Sequence, residues 1–172
     1  SFNQRHITLT EKITDPKKTR KRAMDLLARR EHSRLELYQK LKQKKFEPNI
    51  INAELDKLSD EGLQSDERFA EAFLRSRIDK GKGPNIILSE LLQRGVDELL
   101  VSNVLESISE GQWCEVAYET MNKKLGNESE LDYDKQLKLM KFLNNRGFTR
   151  SQIERAKNLL SEKSTARSNE NE

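Results

Sequence analysis

Three stretches of this chain repeat one pattern: Leu41-Lys42-Gln43-Lys44-Lys45-Phe46, Leu91-Leu92-Gln93-Arg94-Gly95-Val96 and Leu143-Asn144-Asn145-Arg146-Gly147-Phe148. Each is an apolar helix end, a basic residue, Gly or Lys, and another apolar residue. The offsets between them are 50 and 52 residues. A self-similar period of that length restricts the chain to tandem copies of one small unit, each too small to bury its apolar face alone. Glycine after the basic residue suits the left-handed position that closes a helix. Pro48, Asp97 and Thr149 then stand where the next helix begins, as first-turn or cap residues.

Helical spacing of apolar residues fills the remainder of each unit. The first unit reads as helices over 18–30, 34–44 and 48–61, with Ser33-x-x-Glu36 as a capping box and Ile51, Leu55 and Leu58 inward. The second reads as 66–79, 85–94 and 98–109, on the stripes Ala70/Phe73/Leu74/Ile78, Ile87/Leu88/Leu91/Leu92 and Val101/Val104/Leu105/Ile108. The third reads as 112–125, 135–146 and 150–160, anchored by Trp113, Ala117, Met121, Met140, Leu143, Ile153, Ala156 and Leu160, with a longer loop over 126–134. The expected architecture is all-α, an elongated array of three tandem three-helix, helix-turn-helix-like repeats. Its segments are a loosely ordered start over 1–17, where Ile7 and Leu9 hint at an extended piece, repeats over 18–62, 63–110 and 111–160, and a polar tail over 161–172.

Composition excludes several alternatives. Val, Ile and Thr total only 20 of 172 residues, too few for a sandwich or barrel. No apolar run approaches the ~18 residues of a membrane span, and residues 1–18 hold no apolar stretch of a secretory signal. A single cysteine, Cys114, cannot staple a secreted domain, so a cytoplasmic, reduced chain is expected. Enzymatic signatures are missing too. There is no phosphate-loop motif, His6 and His32 are too far apart for a helix-face metal pair, and Cys114 has no histidine in its repeat to activate it. Neither enzyme nor cofactor is expected, and Cys114 reads as a buried structural residue. The Asn127-Glu128-Ser129 glycosylation sequon has no meaning in a cytoplasmic chain.

Charged residues make up 35% of the chain against about 25% in ordinary domains, and they are segregated. Residues 17–45 carry 12 basic and 3 acidic groups; residues 47–72 reverse this with 8 acidic and 2 basic. Residues 75–82 return to +3, residues 84–119 fall to −6, and residues 120–172 stand at +3. Alternating blocks on helical repeats suit a partner that is itself a charged polymer. Lys44, Arg94 and Arg146 recur before the three turns, where helix-end cation placement accounts for part of the pattern. Arg75, Arg77, Lys80 and Lys82 flank the glycine-containing loop Gly81-Lys82-Gly83-Pro84, read as a flexible basic tip.

Two segments resemble the RecX family of recombinase regulators. One is Leu26-Leu27-Ala28-Arg29-Arg30-Glu31-His32-Ser33 with Glu36-Leu37 and Lys40-Leu41, followed by Glu61-Gly62 and Asp66-Glu67-Arg68-Phe69-Ala70. The other is Arg75-Ser76-Arg77 with Lys80-Gly81-x-Gly83-Pro84, Ile87, Glu90-Leu91 and Arg94-Gly95-Val96. The likeness spans roughly residues 20–160, and Lys45 departs from it where the first repeat often has glycine. The resemblance implies three tandem three-helix repeats and a non-enzymatic, monomeric modulator of the RecA recombinase in recombination, DNA repair and the SOS response. Such a protein lies along the groove of the RecA–single-stranded-DNA filament, with weak binding of free DNA as a further expectation, and damps strand exchange, ATP hydrolysis and coprotease action.

Under that reading the basic candidates for contact with RecA or DNA are Arg29, Arg30, Lys40, Lys44, Arg68, Arg75, Arg77, Lys80, Lys82, Arg94 and Arg146. One rival reading is a direct DNA binder built on helix-turn-helix triplets. The acidic third helices count against it, since Glu54, Asp56, Asp60, Asp97, Glu98 and Glu106 would face phosphates. The other rival is a helical scaffold for unrelated proteins.

Overall fold

The computed structural model describes residues 11–127 and 131–171, so the hinted strand at Ile7 and Leu9 and the sequon residues Glu128 and Ser129 lie outside the described residues. Among the described residues the chain forms nine helices: α1 Pro16–Arg29, α2 Arg34–Gln43, α3 Pro48–Asp60, α4 Asp66–Asp79, α5 Pro84–Gln93, α6 Glu98–Glu106, α7 Glu110–Leu125, α8 Tyr133–Asn145 and α9 Arg150–Glu170. Their starts are chemically specified. Ser33 with Glu36, Ser109 with Gln112 and Thr149 with Gln152 close full capping boxes at α2, α7 and α9. Carboxylates of Asp15, Glu47, Asp97 and Asp132 accept first-turn N–H groups at α1, α3, α6 and α8. Helix α9 runs to Glu170, ten residues past the last apolar stripe position, where a polar tail was expected.

The repeated sextet is one backbone device made three times. Phe46, Val96 and Phe148 each donate their N–H to the carbonyl five residues back, on Leu41, Leu91 and Leu143. Lys45, Gly95 and Gly147 donate to Lys42, Leu92 and Asn144. This is the Schellman closure, in which the residue after the cap sits at positive φ and the next one packs its side chain on the final turn. Here φ is 71° at Lys45, 78° at Gly95 and 96° at Gly147, and all three leucines and all three following apolar residues are buried. Lysine in the left-handed region costs about 1 kcal/mol that glycine would not.

The chain divides into two compact units, Ser1–Phe69 and Ala70–Glu172. In the first, α1, α2 and α3 pack mutually around Ala23, Leu26, Leu37, Leu41, Phe46, Ile51, Leu55 and Leu58, flanked by Ile13, Met24, Leu27 and Tyr38. Each leucine buried this way is worth about 1.5–3 kcal/mol. Residue 13 lies in the segment expected to be loosely ordered, yet it forms a parallel bridge with Phe46. Its N–H donates to Lys45 O at 2.7 Å, and its carbonyl accepts from Glu47 N at 2.9 Å.

In the second unit α5 packs on α6, while α7, α8 and α9 pack on one another. Two expected stripes are rotated. Ile87 and Leu91 are buried, whereas Leu88 and Leu92, one position and about 100° further round, are exposed. Likewise Leu139, not Met140, joins Leu143 in the core. The second and third repeats meet at two glycines. Gly83 N–H donates to Arg146 O at 2.8 Å and Asn85 N–H to Gly147 O at 2.9 Å. A Cβ on Gly83 would fall 2.5 Å from Gly147 C and Phe148 N.

Candidate functional site

The basic candidates separate by what their side chains already hold. In the first unit Arg29, in the last turn of α1, is exposed, as is Lys44 at the cap of α2. Arg30 closes on Glu36 with two hydrogen bonds of 3.1 and 2.9 Å, and it also donates to Glu31 O. Burial alone would raise the Glu36 carboxyl, but the bonds from Arg30 and Ser33 hold it below the usual carboxylate range. Arg68 pairs with Glu31 at 3.1 Å. The Lys40 ammonium lies 3.1 Å from His32 Nε2.

His32 sits behind that cation, only 2% exposed. Its Nδ1 faces Arg30 O at 3.0 Å and must donate there, which leaves Nε2 bare for Lys40. Burial pushes its pKa below the ordinary value, with the Arg30 and Lys40 charges acting the same way and the bond to Arg30 O opposing them. The ring therefore acts as a positioning group, its Nε2 accepting from the Lys40 ammonium. Within the run Asp66-Glu67-Arg68-Phe69-Ala70, three residues are structural: Asp66, Phe69 and Ala70. Asp66 Oδ1 accepts from Arg34 N at 2.9 Å and from Gln64 Nε2 at 3.0 Å, Gln64 reaches His32 O, and Phe69 and Ala70 are buried.

In the second unit Arg75 is exposed on α4. Arg77 and Arg94 are not: both lie over the Phe73 ring, 4.5 and 4.6 Å from its centroid. Both also share Glu90, Arg77 at 2.8 Å and Arg94 at 3.8 Å. These two arginines join α4 to α5, with cation–π attraction adding about 0.5–2 kcal/mol each.

The loop between α4 and α5, expected to be a flexible tip, is fastened. Besides the Gly83 and Asn85 bonds, Lys80 O accepts from Arg146 Nη1 at 3.1 Å. A Cβ on Gly81 would stand 2.9 Å from Thr120 Oγ1, so the turn lies against α7. Lys80 keeps its side chain exposed, while Lys82 is half-buried.

Beside this turn opens a cleft of about 500 Å³, lined in part by Lys80, Lys123, Lys124, Phe142 and Arg146. Lys124 Nζ and Arg146 Cζ lie 5.2 and 5.0 Å from the Phe142 ring centroid. The structure thus brings two of the candidates, Lys80 and Arg146, together with two lysines that sequence reasoning missed. The Lys123-Lys124 pair was the available signal, hidden in a mixed stretch whose balance is only +3. Among the described residues no group of three or more His, Cys, Asp or Glu is placed to hold a metal ion. No helix among them is long and apolar enough to cross a membrane. Cys114 is buried, and that burial raises its thiol pKa.

Comparison with known proteins places this geometry. Residues 20–58, 65–105 and 110–156 match the models described as RecX first, second and third three-helix domain. A Regulatory protein RecX from Halorhodospira halophila is 41% identical over 134 residues, 78% of this chain and 83% of that one. Another, from Pseudomonas putida strain GB-1, is 39% identical over 143 residues, 83% of this chain and 91% of its own. The crystal structure of RecX from Lactobacillus salivarius superposes with a TM-score of 0.74 at 24% identity, covering 85% of this chain and 96% of that one.

Proposed function

The chain belongs to the RecX family of regulatory proteins, matched in all three of its three-helix domains, and from that premise we propose that it binds the RecA–single-stranded-DNA filament along its groove and mainly inhibits it. The observation that carries this reading is the completeness of the match: every repeat is present, and each carries an exposed or cleft-lining cation at or near its turns. In this reading Arg29, Lys40, Lys44, Arg75 and Lys80 make the leading contacts, because their side chains are exposed and lie outside the ion pairs that hold Arg30, Arg68, Arg77 and Arg94. Arg30, Arg68, Arg77, Arg94 and Arg146 serve from within ion pairs or ring contacts, and Lys82 from a half-buried position. Acidic helices either meet basic filament surface or stay in solvent.

Bound across neighbouring RecA subunits, such a chain obstructs the path of incoming duplex and of coprotease substrates, and by linking subunits it slows the changes that accompany ATP hydrolysis. Each contact on the surface is salt-screened, so affinity rests on several cations acting together. The clean test reverses Arg75 and Lys80 and leaves Arg77 alone, since a glutamate at 77 would face Glu90. The double variant Arg75→Glu with Lys80→Glu keeps its helical circular dichroism and loses about tenfold in inhibition of RecA strand exchange, close to 1.4 kcal/mol of binding. Undiminished inhibition by that variant rejects this surface as the contact.

A further inference from the structure

The geometry points to the cleft between the α4–α5 turn, the end of α7 and the end of α8 as a binding site for a backbone phosphate of single-stranded nucleic acid. Its walls are built rather than incidental. Gly81 lets the turn approach Thr120, and the Gly83–Gly147 contact holds the opposite edge. Lys80, Lys123, Lys124 and Arg146 come from three separate segments, against the two carboxylates Asp79 and Glu119. The lining therefore carries an excess of two positive charges.

Two of those cations converge on one apolar ring. Phe142 holds Lys124 and Arg146 by its π face, which fixes their positions without neutralising them. Arg146 spends one of its five N–H donors on Lys80 O, which aims the guanidinium and leaves a fork for phosphate oxygens. Helix-end placement explains why lysines stand in the last turn of α7. It does not explain a cleft that gathers them with Arg146 and Lys80. A volume of about 500 Å³ admits a nucleotide-sized group. A phosphodiester carries one charge, which matches the small positive excess. A triphosphate would bring several charges up to Asp79 and Glu119.

The site adds a nucleic-acid contact to the filament reading and is tested without RecA. Binding of a labelled oligothymidylate to the full chain is followed by fluorescence anisotropy across a salt series. Lys123→Ala with Lys124→Ala weakens binding about tenfold and makes the salt slope shallower by about one, as expected for lost phosphate contacts. Lys138→Ala with Lys141→Ala removes equal charge from exposed α8 positions outside the cleft and leaves binding within twofold. Lys123→Glu alone, which spares the Phe142 contact, repeats the loss should the double variant prove unstable. Equal losses in both double variants, no loss in the cleft variant, or no oligonucleotide binding by the parent chain overturns the site. A cleft variant that loses only ATP or pyrophosphate binding assigns the cleft to a free nucleotide and overturns the strand assignment. None of these outcomes bears on whether the chain still inhibits RecA.

Discussion

Gly83→Ala lowers the stability of the chain by about 3 kcal/mol in a guanidinium titration, the largest single effect expected here. The backbone at Gly83 has φ −95°, open to any residue, so the whole effect is steric. The new methyl group meets Gly147 C, Phe148 N and Gly147 O at 2.5, 2.5 and 2.6 Å, all backbone atoms that cannot swing away as a side chain would. Relief requires the α5 start and the α8 turn to separate. That weakens the Gly83–Arg146 and Asn85–Gly147 hydrogen bonds, each worth about 1 kcal/mol, on top of about 1–3 kcal/mol of overpacking. Gly62→Ala is the matched control: its φ is 73° but nothing lies within 4 Å of the added Cβ, so only about 1 kcal/mol of backbone strain is expected. A Gly83→Ala chain within 0.5 kcal/mol of the parent rejects this account of how the second and third repeats are joined.

Asp66→Ala is expected to follow, with a loss of about 2–3 kcal/mol. Its carboxylate takes the Arg34 N–H, one of the orphan donors at the start of α2, and orients the buried amide of Gln64, which in turn reaches His32 O. Removing it leaves a helix-start N–H and half of a buried amide without their acceptor, and bonds to a charged acceptor are worth about 1.5–3 kcal/mol. Asp66→Asn, which keeps one carbonyl acceptor, recovers part of the loss. Glu67→Ala, one residue along and exposed, changes stability by no more than about 0.5 kcal/mol. Equal effects at 66 and 67 in denaturant titrations would reject the fastening role.

The repeat was legible because a Schellman closure is local: six consecutive residues specify the cap, the positive φ and the packed apolar residue. Even Lys45, the departure from glycine, adopts the geometry of Gly95 and Gly147. The exposed half of α9 was not legible, since residues 161–170 bury nothing and leave no apolar period to detect. Nor was the difference between Arg75 and Arg77. Two residues apart on one helix, they look alike in sequence, but only Arg77 meets Phe73 and Glu90. The docking of the 81–84 loop against Gly147 and the cleft around Phe142 join residues some 60 positions apart, which periodicity does not record. Segregated charge pointed to a polymeric partner, and the structure divides those charges into groups that build the repeats and groups left exposed.

Co-sedimentation of the chain with RecA, with and without single-stranded DNA and nucleotide, decides whether the assembled filament is its partner. Retention is expected when DNA and nucleotide together assemble the filament, at a level well above that on either component alone. Retention on bare DNA regardless of RecA, or on none of the combinations, would contradict the filament reading.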